Sequence, residues 1–383
     1  QVLELPTSDL LEGGQTTVAD PATSNGSPFG WHDTNGVEGP EYTITRGNNT
    51  HVVLGDLVDG FNPINHSPDG GDDLEFEFSF DRSLSNLEPA NQDAVITNVF
   101  YAVNTAHDVF LNYGFDEAAG NFQASNYTGL PGAGDHVRVQ AQDPLEGPPP
   151  PGPYPGQGCN AFFVPTVDGI TPQMVLGFCN TGLVDDPLGR DFGLSNDVII
   201  HEYTHGVIER LVGGPATLNL RGPIVRQFDA MHEGTSDYIG MMFTMENTQA
   251  PEDAIEVGSY IGHFFTPVDD DRVNPGARRN PYSYDTTINP IDFDQWNDLD
   301  SPQLLLGNVT TNDEEHNAGE IWASTLYDMT WELLAKYGGA TGAENFTPGM
   351  MEVAFNPDIG QAVSNLAQGN QFDFPPPIFS TTG

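Results

Sequence analysis

The chain has 383 residues, of which 37% are hydrophobic, and its 55 acidic and 11 basic residues give a formal net charge of −44 at pH 7. This length permits a sizeable core and two lobes with a cleft between them. A surface so negative repels phosphate backbones and anionic lipids, so we expect neither nucleic acid nor membrane partners. No run approaches the roughly 18 consecutive apolar residues of a membrane-spanning helix. The composition therefore predicts a soluble protein.

Features of processing predict a secretory route. The chain begins with Gln1, without a charged-then-apolar signal segment, which indicates that targeting and pro-segments have been removed. Asn-X-Ser/Thr triplets, which also arise by chance, occur at Asn25, Asn48, Asn65, Asn126, Asn308 and Asn345. Cys159 and Cys179 fit either a disulfide or two free buried thiols. We expect a secreted, extracellular, monomeric glycoprotein made as a zymogen.

The first part of the chain has the pattern of strands. Residues 1–90 are rich in turn-forming residues and contain the short alternating runs HVVLGDLV and LEFEFSF. From Asn91 to about Leu111 apolar residues recur at helical spacing, which predicts an amphipathic helix ending near Gly114. The segment HVRVQAQ predicts one further strand and NAFFVPTVDGITPQMVLGF two more. Between them GPPPPGPYPGQG is typical of a surface spacer rather than a partner-binding polyproline segment.

The second part of the chain is predicted to be mainly helical. Residues Val198–Leu211 carry a helical apolar pattern that follows cap-forming residues and stops at Gly-Gly-Pro. Two more helices are predicted over Ala230–Met245 and His316–Tyr337, and the last dozen residues have an irregular pattern. We therefore expect an α+β fold with a β-rich N-terminal lobe (1–214) and a mainly helical C-terminal lobe (215–383).

A metal-binding motif lies inside the helix after Leu194. His201 and His205 are four residues apart, so their imidazoles project from one face about 6 Å apart and can bind one ion at about 2.0–2.1 Å. Glu202 adjoins the first histidine and can act on a metal-bound water without ligating the metal. Three protein ligands leave a fourth position of tetrahedral zinc open to water, whose pKa falls toward about 7. The motif predicts a hydrolytic site.

Carboxylates on the next helix supply the missing ligand. Glu233 is the candidate third ligand, and Asp237 follows one turn later as an acceptor that fixes the tautomer of a ligating imidazole. A solvated acidic face is the alternative for this pair, and His232 is a rival ligand beside Glu233. His316 opens the third helix, where it can donate to an oxyanion, although a lone histidine is more often structural.

The motif and its surroundings resemble one family. HEYTHGVIERLVGGPA followed by HEGTSD is similar to the fungalysin-type secreted zinc metallopeptidases, thermolysin-like gluzincins. The segments TRGNNTHVV, DAVITNVFYAVNTAHDVFLNYGFDEAAGNFQ, GARRNPYSYDTTINP and HNAGEIWASTLYDMTWELL resemble family segments in the expected order. The resemblance covers most of residues 40–337.

This resemblance implies a zinc endopeptidase acting on proteins or peptides. It implies a two-lobed thermolysin-like zincin fold in which the zinc helix crosses the cleft between a β-rich and a helical lobe. By the same resemblance, His201, His205 and Glu233 bind one zinc ion and Glu202 is the general base. His316 stabilises the tetrahedral intermediate.

The resemblance also implies contacts with substrate. Asn160 and Ala161 correspond to edge-strand residues that hold the substrate backbone, because an edge strand has backbone groups free to receive an extended peptide. Arg278 is similar to a cleft arginine that binds a substrate carbonyl, with Arg279 or an ordinary surface role as alternatives. Relatives bind calcium, so Ca²⁺ is a second candidate cofactor, although no EF-hand loop is present.

Departures from the family pattern keep rival hypotheses open. Thr235 stands where the family usually has Trp or Gly, LNLRGPIVRQFDAMH replaces a short Cys- and Gly-rich connection, and the resemblance fades after about Gly339. A zinc-binding but inactive scaffold is therefore one alternative. A metallo-aminopeptidase, which shares HExxH with a distant glutamate, is another, although its substrate-amine motif is not visible. Cleavage within an end-blocked peptide distinguishes an endopeptidase from both.

Overall fold

Strands come mostly early in the chain and helices late. The computed structural model describes residues 1–11, 13–55, 61–143, 160–179, 189–218, 226–246, 248–265, 276–292 and 314–337. The strands are β1 (Thr50–Leu54), β2 (Val137–Asp143), β3 (Ala161–Val164), β4 (Gln173–Cys179) and β5 (Arg190–Asp191). The helices are α1 (Pro89–Asn112), α2 (Asn196–Leu211), α3 (Arg226–Thr244), α4 (Ser259–Phe265) and α5 (Glu314–Tyr337). This mixture confirms the α+β class, whereas the division into lobes at 214/215 stays a prediction.

One mixed sheet organises the N-terminal part. Its strand order is β1-β2-β4-β3, with β5 pairing β4 off this path. The β1–β2 and β2–β4 pairs are parallel, and β3 and β5 run antiparallel to β4. Within the described residues β3 pairs only with β4, so it forms an edge of the sheet. On this edge strand Phe163 is buried, whereas Phe162 and Val164 are exposed.

Two hydrophobic clusters meet along α3. The larger cluster joins the sheet, α1 and α2, and includes Phe243 of α3. The smaller cluster joins α3 to α5 through residues such as Met242 and Trp331. Because α3 contributes side chains to both clusters, it holds α2 and α5 in fixed positions relative to each other.

Two glycines allow α3 and α5 to touch backbone to backbone. A Cβ atom on Gly234 would lie 2.2 Å from the carbonyl oxygen of Gly319, and one on Gly319 would lie 2.9 Å from Cβ of Glu233. Both distances are below van der Waals contact, so a side chain at either position would push the helices apart. The close crossing brings the first turn of α5, which carries His316, next to Glu233.

Most predicted elements agree with the structure. The helix predicted over Asn91–Leu111 is α1, and the three helices predicted in the second part are α2, α3 and α5, with ends shifted by a few residues. The strands predicted in HVRVQAQ and NAFFVPTVDGITPQMVLGF are β2, β3 and β4. The short elements α4 and β5 were not predicted. The proline-rich segment and the last dozen residues lie outside the described residues.

Residues 1–90 are loop-heavy, as predicted, and the run HVVLGDLV begins with β1, but the prediction of a β-rich segment is wrong, because β1 is the one regular strand in its described part. In LEFEFSF the exposure alternates with period two, as in a strand, but the segment forms no ladder. Instead Phe76 stacks on His32 and Phe100, with ring centroids 5.4 and 6.3 Å apart respectively. The alternation therefore reflects the packing of single aromatic rings rather than strand pairing.

Cys179 ends β4, where it is fully buried and disulfide-bonded. Cys159 lies outside the described residues. The bonded state removes the alternative of a free buried thiol for Cys179.

Candidate metal centre

Helix α2 places the HExxH side chains in a buried position beside the edge strand. Gly206 follows the second histidine, and a Cβ atom there would lie 2.5 Å from the Phe163 ring, so the glycine lets β3 approach the helix closely. His201, Glu202 and His205 are 5%, 6% and 6% exposed. Their potential ligand atoms all lie within 4.8 Å of one another. The fold therefore brings the three side chains of the motif together, and their roles at a metal stay predictions.

Glu233 of α3 faces both histidines. Its Oε2 atom lies 3.2 Å from Nε2 of His201, and its Oε1 atom lies 3.6 Å from Nε2 of His205. Ligand atoms of a tetrahedral ion bound at about 2.0–2.1 Å are about 3.4 Å apart. Oε2 of Glu233 is buried and lies within ion-pairing distance of His201. The spacing and the donor set fit one metal ion held by two imidazoles and a carboxylate.

Asp237 lies behind His201. Its Oδ1 atom is 2.8 Å from Nδ1 of His201, on the ring edge opposite to Glu233. Arg278 donates from Nε and Nη2 to the two carboxylate oxygens at 2.6 Å each, and the Tyr282 hydroxyl donates at 2.5 Å. A buried carboxylate anchored in this way keeps a proton on Nδ1 and directs Nε2 toward a metal. The role of Asp237 as the acceptor that orients a ligating imidazole stays a prediction.

The two candidate substrate arginines both form internal ion pairs. Arg278 uses Nε and Nη2 on Asp237, and its Nη1 lies 3.4 Å from the Ala277 carbonyl oxygen. Arg279 donates from Nε to Glu320 at 2.7 Å and from Nη2 to the carbonyl of Asn317 at 2.7 Å. The contacts of Arg278 thus orient a carboxylate behind the site. Binding of a substrate carbonyl by Arg278 stays a prediction.

His205 is backed by groups different from those behind His201. Its Nδ1 atom lies 2.5 Å from Nδ1 of His232 and 3.2 Å from Oγ of Ser236. The other nitrogen of His232, Nε2, lies 3.7 Å from Oε1 of Glu209. His232, considered from sequence as a rival ligand, therefore contacts the edge of His205 opposite to Glu233.

His316 places a further imidazole beside Glu233, on the side that reaches solvent. Its Nε2 atom lies 3.3 Å from Oε2 of Glu233, and its side chain is 42% exposed, compared with 6% for His201. A ring that borders the carboxylate and also reaches solvent can meet a substrate group at the site. Its role in catalysis stays a prediction.

The charges of the site favour a cation. Burial lowers the pKa of His201, but the nearby Asp237 and Glu233 carboxylates outweigh this effect and raise it to about 10. For Glu233, burial acts to raise the pKa, but the surrounding imidazoles, first His205 and then His316, bring it well below its usual range. Burial raises the pKa of Glu202 to about 7. The carboxylates thus stabilise a positive charge at the site, as the binding of a divalent ion also requires.

The edge strand presents backbone groups beside this helix. The N–H of Gly177 donates to the Asn160 carbonyl at 2.9 Å, and Ala161 is the next residue, paired with Leu176. In an antiparallel pair, hydrogen-bonded and non-hydrogen-bonded positions alternate, so the N–H and C=O of Ala161 point away from β4. The groups of Ala161 are therefore available to an extended peptide, whereas the backbone carbonyl of Asn160 already accepts from β4. Binding of the substrate backbone by Asn160 and Ala161 stays a prediction.

Sequence reasoning missed several groups of the site. Glu209 follows His205 by one helical turn, a spacing that was available in the sequence as a signal. Ser236 lies beside Asp237 and carried no signal of its own. Tyr282 comes from a segment far along the chain, and no local pattern marks it as a partner of Asp237.

A buried HExxH helix faced by a glutamate from a second helix is typical of metal-dependent hydrolases. Comparison with known families then identifies the family: the model of the fungalysin metallopeptidases (M36) matches residues 1–367. The chain belongs to the fungalysin metallopeptidase family, which confirms the resemblance. A metallopeptidase requires a metal, in agreement with the site.

Relatives with similar sequences are named as extracellular metalloproteinases. The chain is 30% identical over 336 residues to Extracellular metalloproteinase 2 of Trichophyton tonsurans, covering 86% of this chain and 46% of the relative. It is 31% identical over 344 residues to the protein of the same name in Arthroderma gypseum, with the same coverage. It is 32% identical over 347 residues to Extracellular metalloproteinase mep of Aspergillus flavus, covering 89% of this chain and 47% of the relative.

The chain spans about half the length of these curated relatives. None of the described helices is long and apolar enough to cross a membrane.

Proposed function

We propose that the protein is a secreted zinc endopeptidase that hydrolyses internal peptide bonds of proteins, with Glu202 as general base. The observation that carries this proposal is the convergence of His201, His205 and Glu233, whose facing atoms are 3.2 and 3.6 Å apart, beside a buried glutamate on the same helix. Family membership and the extracellular metalloproteinases among the relatives support it.

His201, His205 and Glu233 would hold the metal. Two imidazoles and one carboxylate form a donor set that suits zinc, and they leave a position open for catalysis. When bound, zinc polarises the substrate carbonyl and makes water more acidic. Asp237 keeps Nε2 of His201 directed toward this position through its contact with Nδ1. Calcium as a second ion stays a prediction.

Glu202 is placed to move the proton. One of its carboxylate oxygens is buried and accepts no hydrogen bond from the described residues. Burial raises the pKa of Glu202 to about 7, close to the pH at which a base gains and loses a proton readily. Glu202 therefore takes a proton from the attacking water and gives it to the nitrogen of the departing amine.

Two further residues bind the substrate and stabilise the negative charge that develops on its carbonyl oxygen. The outward N–H and C=O of Ala161 accept an extended peptide as an additional strand beside β3. His316 is exposed enough to reach the substrate and donates to the carbonyl oxygen as that oxygen becomes negative. Each of these proposed roles can be tested separately by substitution.

The test is cleavage of a peptide blocked at both ends, with casein as a protein substrate, by zinc-loaded protein with and without a chelator. We expect internal cleavage that the chelator abolishes and that added zinc restores, with about one zinc per chain by elemental analysis. Trimming of free N-terminal residues without internal cleavage would replace the proposal by an aminopeptidase. Bound zinc without any cleavage would replace it by an inactive scaffold.

A further inference from the structure

The ring of His232 meets His205 edge to edge. The two Nδ1 atoms are 2.5 Å apart, while the ring centroids are 4.6 Å apart and the ring planes differ by 18°. If both nitrogens lay on the line between the ring centres, the centroid separation would equal the N–N distance plus two distances from a nitrogen to its ring centre. The observed separation is close to that sum. The nitrogens therefore point at each other nearly in the ring planes, which is the alignment of a hydrogen bond.

A hydrogen bond between two ring nitrogens needs one donor and one acceptor. When Nε2 of His205 binds a metal, its Nδ1 carries the proton and donates. Nδ1 of His232 must then accept, so the proton of His232 lies on Nε2. That atom is 3.7 Å from Oε1 of Glu209, a carboxylate that is 1% exposed, and a buried negative charge at this distance favours the Nε2–H tautomer.

We propose that His232 is a positioning residue that relays the Glu209 carboxylate to His205. Both ligand histidines are then oriented by a buried carboxylate: His201 directly by Asp237, and His205 through one intervening imidazole. The relay deepens the proposed function, because it rests on His205 as a ligand. It also gives His232 a role other than that of a rival ligand.

Ser236 is the competing acceptor. Its Oγ atom lies 3.2 Å from the same Nδ1 of His205, and the hydroxyl can donate or accept. The contact from His232 is shorter by a wide margin, and a hydroxyl has no fixed direction of donation. Ser236→Ala is therefore the matched control for substitutions of His232.

The first test is NMR of zinc-loaded protein with ¹⁵N-labelled histidine, which needs no substitution. We expect a coupling across the hydrogen bond between the Nδ1 atoms of His205 and His232, and nitrogen shifts that place the His232 proton on Nε2. A proton on Nδ1 of His232, or the shift of a metal-bound nitrogen in that ring, would overturn the relay.

The second test is zinc affinity, measured by competition with a chromophoric chelator. His232→Leu should weaken binding about 10- to 100-fold and Glu209→Gln about tenfold, as for other groups that orient a ligand. His232→Asn, whose amide oxygen can accept, should recover most of the loss, and Ser236→Ala should change affinity less than about threefold.

An equal or larger loss in Ser236→Ala than in His232→Leu would assign the acceptor role to the hydroxyl and overturn the proposal. Unfolding of the metal-free variants shows whether they fold, and the NMR test decides if His232→Leu does not. The relay fails on affinity and tautomer alone, whereas the proposed function fails on peptide cleavage, so the two failures are distinguishable.

Discussion

His316 is the most exposed of the histidines that surround Glu233 in the described part of the chain. Since its ring borders the carboxylate without lying between the two ligand imidazoles, its loss should affect the reaction more than the metal. We expect His316→Leu to lower kcat about 100-fold, the usual effect of removing one donor to an oxyanion. Zinc content by elemental analysis should stay unchanged. Loss of zinc with unchanged kcat per bound zinc would make His316 a structural or metal-binding group instead.

For single residues, the sequence predicts which side chains share one face of a helix better than which residues from other segments contact them. His201 and His205 are a chelate by spacing alone, and Asp237 follows Glu233 by one turn. Arg278 and Tyr282, which anchor Asp237, come from another segment of the chain. Only folding brings their donor atoms within 2.6 Å of the Asp237 carboxylate. The resemblance directed attention to Arg278, but its pairing with Asp237 is visible only in three dimensions.

The crossing of α3 and α5 determines where His316 lies relative to Glu233. A Cβ atom added at Gly319 would lie 2.9 Å from Cβ of Glu233 and 3.0 Å from the Ala230 carbonyl oxygen. We expect Gly319→Ala to lower the free energy of unfolding by about 2 kcal/mol, as overpacking does, and to reduce kcat by moving α5. Denaturant unfolding and turnover measure the two effects.

Gly14→Ala is the control for this substitution, because a Cβ atom there meets nothing within 4 Å. It should leave both stability and turnover close to those of the unsubstituted protein. If Gly319→Ala behaved like Gly14→Ala, the close contact between the helices would not determine the position of His316.

Among the elements, the long helices were the easiest to predict. Helix α1 has a helical apolar pattern over several turns, so its observed limits, Pro89–Asn112, lie close to the predicted ones. The segment 74–80 shows why strands are harder: period-two burial arises there from separate aromatic contacts and gives no information about hydrogen bonding. The edge position of β3 depends on strand order, which periodicity does not encode.

The whole molecule combines a net charge of −44 with buried carboxyl groups. Burial raises the pKa of Asp191 and of Asp197 to about 7, well above the value of an unfolded aspartate. A carboxyl group whose pKa is raised in the folded state stabilises the fold fully below its unfolded pKa, and this contribution is lost progressively until the pH has risen through the folded pKa. Repulsion among surface carboxylates disfavours the folded state in the same direction.

We therefore expect the free energy of unfolding to fall by about 2 kcal/mol between pH 6.5 and pH 8.5. In the metal-free protein the raised pKa values of Glu202 and His201 act in the same direction. Burial lowers the pKa values of His32, His51 and His136 to about 4, 3 and 4, but these groups act mainly below this window. Denaturant unfolding of chelator-treated, metal-free protein measures the change without a contribution from metal release. Stability that rises with pH over this range would contradict the account of the buried carboxyl groups.

Replacement of Glu202 by Gln tests the central claim most directly, because it keeps the shape of the side chain and removes the base. Zinc content should remain at about one per chain while turnover of the end-blocked peptide falls about 100- to 10,000-fold. Glu75→Gln, at an exposed glutamate of the N-terminal part, should keep full turnover. Undiminished cleavage by the zinc-loaded Glu202→Gln variant would contradict the proposed mechanism.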